Sequence, residues 1–174
     1  MKLREDDLEI EFTDAIGGFV FDQMNKKLPG YHGIGQMYRV DFIVEFTNDY
    51  LFVEVEDPEN PKARKGNVKN FYTEIEEGEL SSKFAAKFLD SFIYRWAEEK
   101  TDKKIHFINL VTIDTELLPN FSDEIAKKIP PFGKINPRWT RHLFYSCQVF
   151  NLKAWNDSFP KWPANRISEV KTQG

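Results

Sequence analysis

Two adjacent β-forming runs with acids set inside them constrain this chain more than any other feature. Tyr38-Arg39-Val40-Asp41-Phe42-Ile43-Val44-Glu45-Phe46 is followed by a Thr47-Asn48-Asp49 break and then by Leu51-Phe52-Val53-Glu54-Val55-Glu56-Asp57-Pro58. Val, Ile, Phe and Tyr favour a pleated, half-buried backbone and Asn-Asp favours a turn, so the stretch predicts strands over 37–47 and 50–57. Side chains alternate along a strand, which puts Glu54 and Glu56 on one face. Asp41 stands on the neighbouring strand, and if the two strands pair, the three acids converge. An acid inside an apolar strand needs a compensating partner, and a hard divalent cation is one such partner. The alternative is a ribbon whose solvent face carries Glu54 and Glu56, where charge discourages edge-to-edge pairing.

The rest of the sequence bounds the setting of these acids. A length of 174 residues suits one domain over 1–174 with a full core, and 15% aromatic residues, sixteen of them Phe, make that core aromatic. The net charge of −4 argues against a nucleic-acid grip through bulk positive charge, so any basic surface is local. Cys147 is the single cysteine, which excludes an internal disulfide framework and favours a reducing, cytoplasmic setting. The charged start Met1-Lys2-Leu3-Arg4-Glu5-Asp6-Asp7 lacks the apolar segment of a signal peptide. No apolar run reaches the roughly 18 residues of a membrane span.

Periodicity places the other elements. Leu8, Phe12, Ile16, Phe19 and Val20, with acids at the start, predict a helix over 5–27, weakened by Gly17-Gly18. Pro58 and Pro61 stop the second strand. A basic stretch follows, with Lys62, Arg64, Lys65 and Lys69 around Gly66-Asn67. Phe84, Phe88, Leu89, Phe92 and Trp96 recur at helical spacing and predict a helix over 80–99. Ile105–Ile113 reads as a central strand, Ser122–Ile129 as a short helix capped by Ser122, and Arg141–Leu152 as a last strand. A tail with Trp155, Trp162 and several prolines either packs on the body or is partly mobile. The sum is a mixed α/β domain.

Val40-Asp41-Phe42 followed by Val53-Glu54-Val55-Glu56 resembles the core of the PD-(D/E)XK, or restriction-endonuclease-like, nucleases. Tyr-Arg-Val-Asp-Phe with Glu-Val-acid is similar to the very-short-patch-repair-like branch. Val53–Pro58, with Lys65-Gly66 downstream, is similar to Shedu-type defence nucleases. The resemblance spans about residues 5–112. It implies a mixed sheet flanked by helices with an αβββαβ core, and metal-dependent hydrolysis of DNA phosphodiesters with Mg²⁺ or Mn²⁺. Asp41 and Glu54 would be metal ligands, with Glu56 a further ligand or base. Glu56 stands where the family usually has Lys, so the positive charge would come from the next helix, through Lys87 or Lys83. Glu11 or Asp14 would supply an accessory acid. The missing lysine equally suits a non-catalytic binding or assembly module of the same fold, with a protein partner or a second copy of the chain. His32, His106 and His142 have no zinc spacing, and Cys147 reads as a small buried apolar residue.

Overall fold

The computed structural model describes the chain apart from residues 29, 32, 61–66, 114, 131–136 and 171–174. Its centre is the predicted strand pair. Strand β4 (Phe42–Glu45) lies antiparallel to β5 (Asp49–Glu56), with Phe42 opposite Val53 and Glu45 opposite Tyr50. On the outer side of β4 lies β3 (Gly17–Val20), antiparallel. On the other side of β5, β6 (Lys104–Val111) and then β7 (Ser146–Phe150) add in parallel. The result is a five-stranded mixed sheet in the order β3-β4-β5-β6-β7. The strand expected over 37–47 is shorter, because Tyr38 to Asp41 make contacts outside the ladder. The strand expected over Arg141–Leu152 narrows to β7.

Each face of this sheet is covered differently. One face carries Ile43, Tyr50, Phe52, Ile105 and Phe107, alternate residues of their strands, and packs on helices. These are α1 (Asn67–Glu76), α2 (Glu79–Ala97) and α3 (Leu118–Lys128). Helix α2 buries Leu80, Phe84, Phe88, Ser91 and Arg95, a stripe of helical period. Trp96, expected on that stripe, is exposed. The basic-to-acidic segment before it holds the unexpected α1, whose Phe71 and Ile75 enter the same core. Gly78 joins α1 to α2 at φ 72°, a left-handed backbone that a side chain would strain. Its carbonyl accepts from Lys128 Nζ at 3.1 Å, which ties α3 to the joint. Ser122 is not a cap. Helix α3 starts at Leu118 with Pro119 in its first turn, and the Ser122 hydroxyl instead donates to the Cys147 carbonyl at 3.0 Å.

The opposite face, with Phe42, Val44, Leu51, Val53, Ile108 and Leu110, packs on a second, three-stranded sheet. That sheet overturns the helix expected over 5–27. Residues Lys2–Glu5 form β1 and Leu8–Glu11 form β2, an antiparallel hairpin turning at Asp6, where φ is 49°. Leu8, Ile10 and Phe12 alternate with Glu9 and Glu11, and the period of two prevails over the period of 3.6 because a partner strand is present. That partner is β8 (Ala164–Arg166), which pairs with β2. The tail therefore packs on the body as far as it is described. Helix α4 (Leu152–Ser158) buries Trp155 completely, and Trp155 Nε1 donates to the Trp162 carbonyl at 2.7 Å. The architecture is α/β, with α1, α2 and α3 on one face of a mixed sheet and the second sheet with α4 on the other. The helix expected to lead the core is absent. No helix among the described residues is long and apolar enough to cross a membrane.

Candidate functional site

Tyr50 and Phe52 point from β5 into the helical side of the core, and Glu54 is next in the same row. Phe52 packs on Phe88 of α2, ring centroids 5.7 Å apart. That contact brings Lys87, the preceding residue of α2, over Glu54. The Lys87 ammonium forms an ion pair with Glu54 Oε1. Glu54 is 0% exposed, and the Lys87 side chain keeps 22% exposure. The long aliphatic stem of Lys87 crosses apolar surface while its ammonium reaches the acid.

Asp41 is held from three directions. The Val40 N–H donates to Ser91 Oγ of α2 at 3.0 Å, fastening the chain just before β4. The Asp41 carbonyl accepts from the Phe21 N–H at 2.7 Å, and Asp41 Oδ2 accepts from the Val55 N–H of β5 at 2.7 Å. The carboxyl is 5% exposed. Asp41, Glu54 and Lys87 thus meet at the end of β5, beneath an open cleft of about 900 Å³.

Burial dominates the electrostatics of this group. It pushes the Asp41 carboxyl up to about 7, against the pull of the nearby Lys87 ammonium. Glu54 is raised well above the carboxylate range by burial and then by Asp41. Glu56 is raised by burial, again opposed by Lys87. Burial works against the charge of Lys87, but Glu54 and Asp41 outweigh it and hold the ammonium protonated. Burial and mutual repulsion thus favour a proton shared within the carboxyl group, while the same acids favour the charged form of Lys87. Two acids this close do not both ionise without further positive charge.

The cleft is acidic overall. Among the described residues lining it, eight acids face Lys83 and Lys87. The sequence reading missed several of these acids. Glu5 and Asp6 come from the β1–β2 hairpin and Asp22 from the segment after β3, all within the span read as a helix. The strict alternation Leu8-Glu9-Ile10-Glu11-Phe12 was the available signal. Glu5 is raised by its burial and by Asp6. Asp57 lines the cleft but is engaged, since Arg166 of β8 donates to both its oxygens at 2.7 and 2.8 Å. Glu56 faces the same cleft. Lys83 pairs with Glu74 of α1 at 2.6 Å rather than with Glu54.

Other candidates stand elsewhere. Glu11 lies 3.7 Å from the Lys2 ammonium, Asp14 accepts from Trp162 Nε1 at 2.6 Å, and neither lines the cleft. Lys62, Arg64, Lys65 and His32 lie outside the described residues. Cys147 is half-buried, with its thiol pushed up to about 12 by burial, which makes it a poor nucleophile.

The donors suit a hard cation in kind. Glu54 Oε2 is buried without a hydrogen-bond partner among the described residues, and Asp41 adds a second carboxylate. Mg²⁺ accepts one or two protein carboxylates and completes its shell with water and phosphate. No group of three or more His, Cys, Asp or Glu among the described residues is arranged to hold a metal ion. The fit is therefore to a sparse two-carboxylate site rather than a full protein cage. No protein-family model, curated protein or solved structure matches the chain.

Proposed function

We propose that the protein is a metal-dependent nuclease that hydrolyses DNA phosphodiester bonds. One observation carries this reading: Asp41 and Lys87 line one open cleft, and Glu54, fully buried beneath it, is paired with Lys87. The order of the elements supports it too. Three antiparallel strands, a helical crossover and a parallel strand match the nuclease core that the sequence resembles, without its first helix. Asp41 and Glu54 would hold Mg²⁺ or Mn²⁺, which when bound activates water and neutralises phosphate charge. Lys87 reaches the site from α2 and takes the role of the lysine that Glu56 displaces. Once its ion pair with Glu54 opens, its ammonium is a donor at the cleft floor for developing negative charge. Glu56 stands beside them as an acid able to accept a proton from a bound water.

The decisive experiment incubates purified protein with supercoiled and single-stranded DNA in Mg²⁺ or Mn²⁺. Cleavage is expected in wild type and absent in Asp41→Asn and Glu54→Gln, both of which keep side-chain size. A specific observation also favours a non-catalytic binding module: the excess of acids over lysines in the cleft repels phosphate and attracts basic partners. Under that reading wild type cuts no DNA with either metal, and binding to a protein partner survives both substitutions.

A further inference from the structure

A second cavity, of about 490 Å³, opens on the sheet face opposite the acid cleft, near the starts of the parallel strands. Its floor is Leu51 and Ile108, and Phe46, Phe159 and Trp162 wall one side. Trp162 stacks on Phe159 at 5.2 Å and lies 4.9 Å from Phe46, which makes the wall rigid. A volume in this range suits a small organic molecule.

Across the floor, three strands deliver one polar residue each. Asp49 opens β5, His106 lies on β6 opposite Leu51, and Ser146 opens β7 directly opposite His106. His106 Nε2 lies 3.1 Å from Asp49 Oδ1, and His106 Nδ1 lies 2.7 Å from Ser146 Oγ. A carboxylate on Nε2 assigns the proton to that nitrogen and leaves the Nδ1 lone pair to accept from the serine hydroxyl. Asp49, His106 and Ser146 all line the cavity. A hydroxyl on a histidine that is oriented by an acid is the arrangement that activates serine as a nucleophile, here with the two ring nitrogens exchanged, the serine on Nδ1 and the acid on Nε2. Gln148, two residues after Ser146 on the same face, and Asn48 bring amide groups to the same lining.

We propose that this cavity is an ester-hydrolysing site, with Ser146 as nucleophile, His106 as base and Asp49 as the positioning acid. Ser146 Oγ forms a bond to the substrate carbonyl carbon while its proton passes to His106 Nδ1. The bond to the leaving oxygen then breaks, and the alcohol departs with that proton. Water, deprotonated in turn by His106, releases the carboxylic acid and regenerates the serine. Gln148 and Asn48 are the amide donors for the oxyanion. The substrate class follows from the lining. No Lys or Arg is among the described residues lining the cavity, and Asp14 and Asp49 are acidic, so anionic esters are disfavoured. The aromatic wall selects neutral esters with an aryl or short apolar group.

The test treats the full chain with a fluorophosphonate and with p-nitrophenyl butyrate, reading modification by mass spectrometry and turnover by absorbance. Phosphonylation of Ser146, lost in Ser146→Ala along with at least a hundredfold of turnover, is the expected result. Thermal melts of Ser146→Ala confirm that it folds. Asp49→Asn should slow the maximal labelling rate at least tenfold without changing the probe concentration that gives half of it, as fits a residue acting through His106 rather than on the substrate. Absence of label on Ser146, or turnover that Ser146→Ala retains, would overturn the proposal and leave the three residues as a cross-strand polar ladder.

Discussion

Asp41 concentrates the chemistry of the acid cleft in one titration. Its carboxyl rises from the ordinary 3.8 to about 7 on folding, so the native chain holds a proton that the unfolded chain has released. The stability this proton supplies is complete below about pH 4, and it is lost as the pH climbs through 7. The three-unit gap corresponds to about 4 kcal/mol. Urea unfolding of the metal-free protein between pH 4 and 8 should therefore show stability falling with pH, and Asp41→Asn should flatten that fall. Under the proposed metal-dependent reading, divalent cations would act in the opposite sense, displacing the proton and binding only the native site. At a hundred times Kd the gain is about 2.7 kcal/mol, which Mg²⁺ or Mn²⁺ should add in wild type and not in Glu54→Gln. An equal rise in both proteins would place the cation elsewhere.

Helix α2 does two things at once. Its apolar stripe anchors it to β5 and β6 through Phe88, which lies 5.7 Å from Phe52 and 5.2 Å from Phe107. The residue just before Phe88, Lys87, meets the buried Glu54. Truncating Phe88 to Ala removes a large core side chain and should lower stability by about 3–5 kcal/mol. Lys87→Met is expected to abolish cleavage at least a hundredfold, and the buried pair adds a second effect. Without the ammonium, a fully buried Glu54 has no cation and must keep a proton, so the variant should lose stability as well, by about 3–5 kcal/mol at alkaline pH. Adding Glu54→Gln to Lys87→Met should recover most of that loss. A Lys87→Met protein as stable as wild type at pH 8, measured by urea unfolding, would mean that the ion pair does not form in solution.

On the scale of the whole molecule, the acid cleft is completed by residues far apart in the chain. Arg166 of β8 clamps Asp57 at the end of β5, and the Asp57 side chain is only 2% exposed. Arg166→Ala takes the cation from that carboxylate, leaving it only the Thr112 hydroxyl at 2.6 Å among the described contacts, and should destabilise the protein by about 3–5 kcal/mol, with earlier loss of hydrogen-exchange protection at β2 and β8 than at β6. The negative cleft also predicts that DNA binds at least tenfold more tightly with Ca²⁺ than with a chelator, as read by fluorescence anisotropy. These long-range links mark the boundary of what the chain discloses by itself. The β4–β5 pair, α2, β6 and the convergence of Asp41 with Glu54 were legible, because each follows from a local period and from strands close in sequence; Lys87, with Lys83 as the alternative, was expected only from the resemblance, and the packing of α2 decided between them. The amino-terminal span was misread because Leu8, Phe12 and Ile16 satisfy a helical spacing as well as Leu8, Ile10 and Phe12 satisfy a strand. Strand pairing decides between them, with β1 on one side of β2 and β8, from the far end of the chain, on the other. For the same reason the acids of that hairpin and the Asp49–His106–Ser146 row escaped the sequence: burial and cross-strand register are properties of the assembled sheet, not of any one segment.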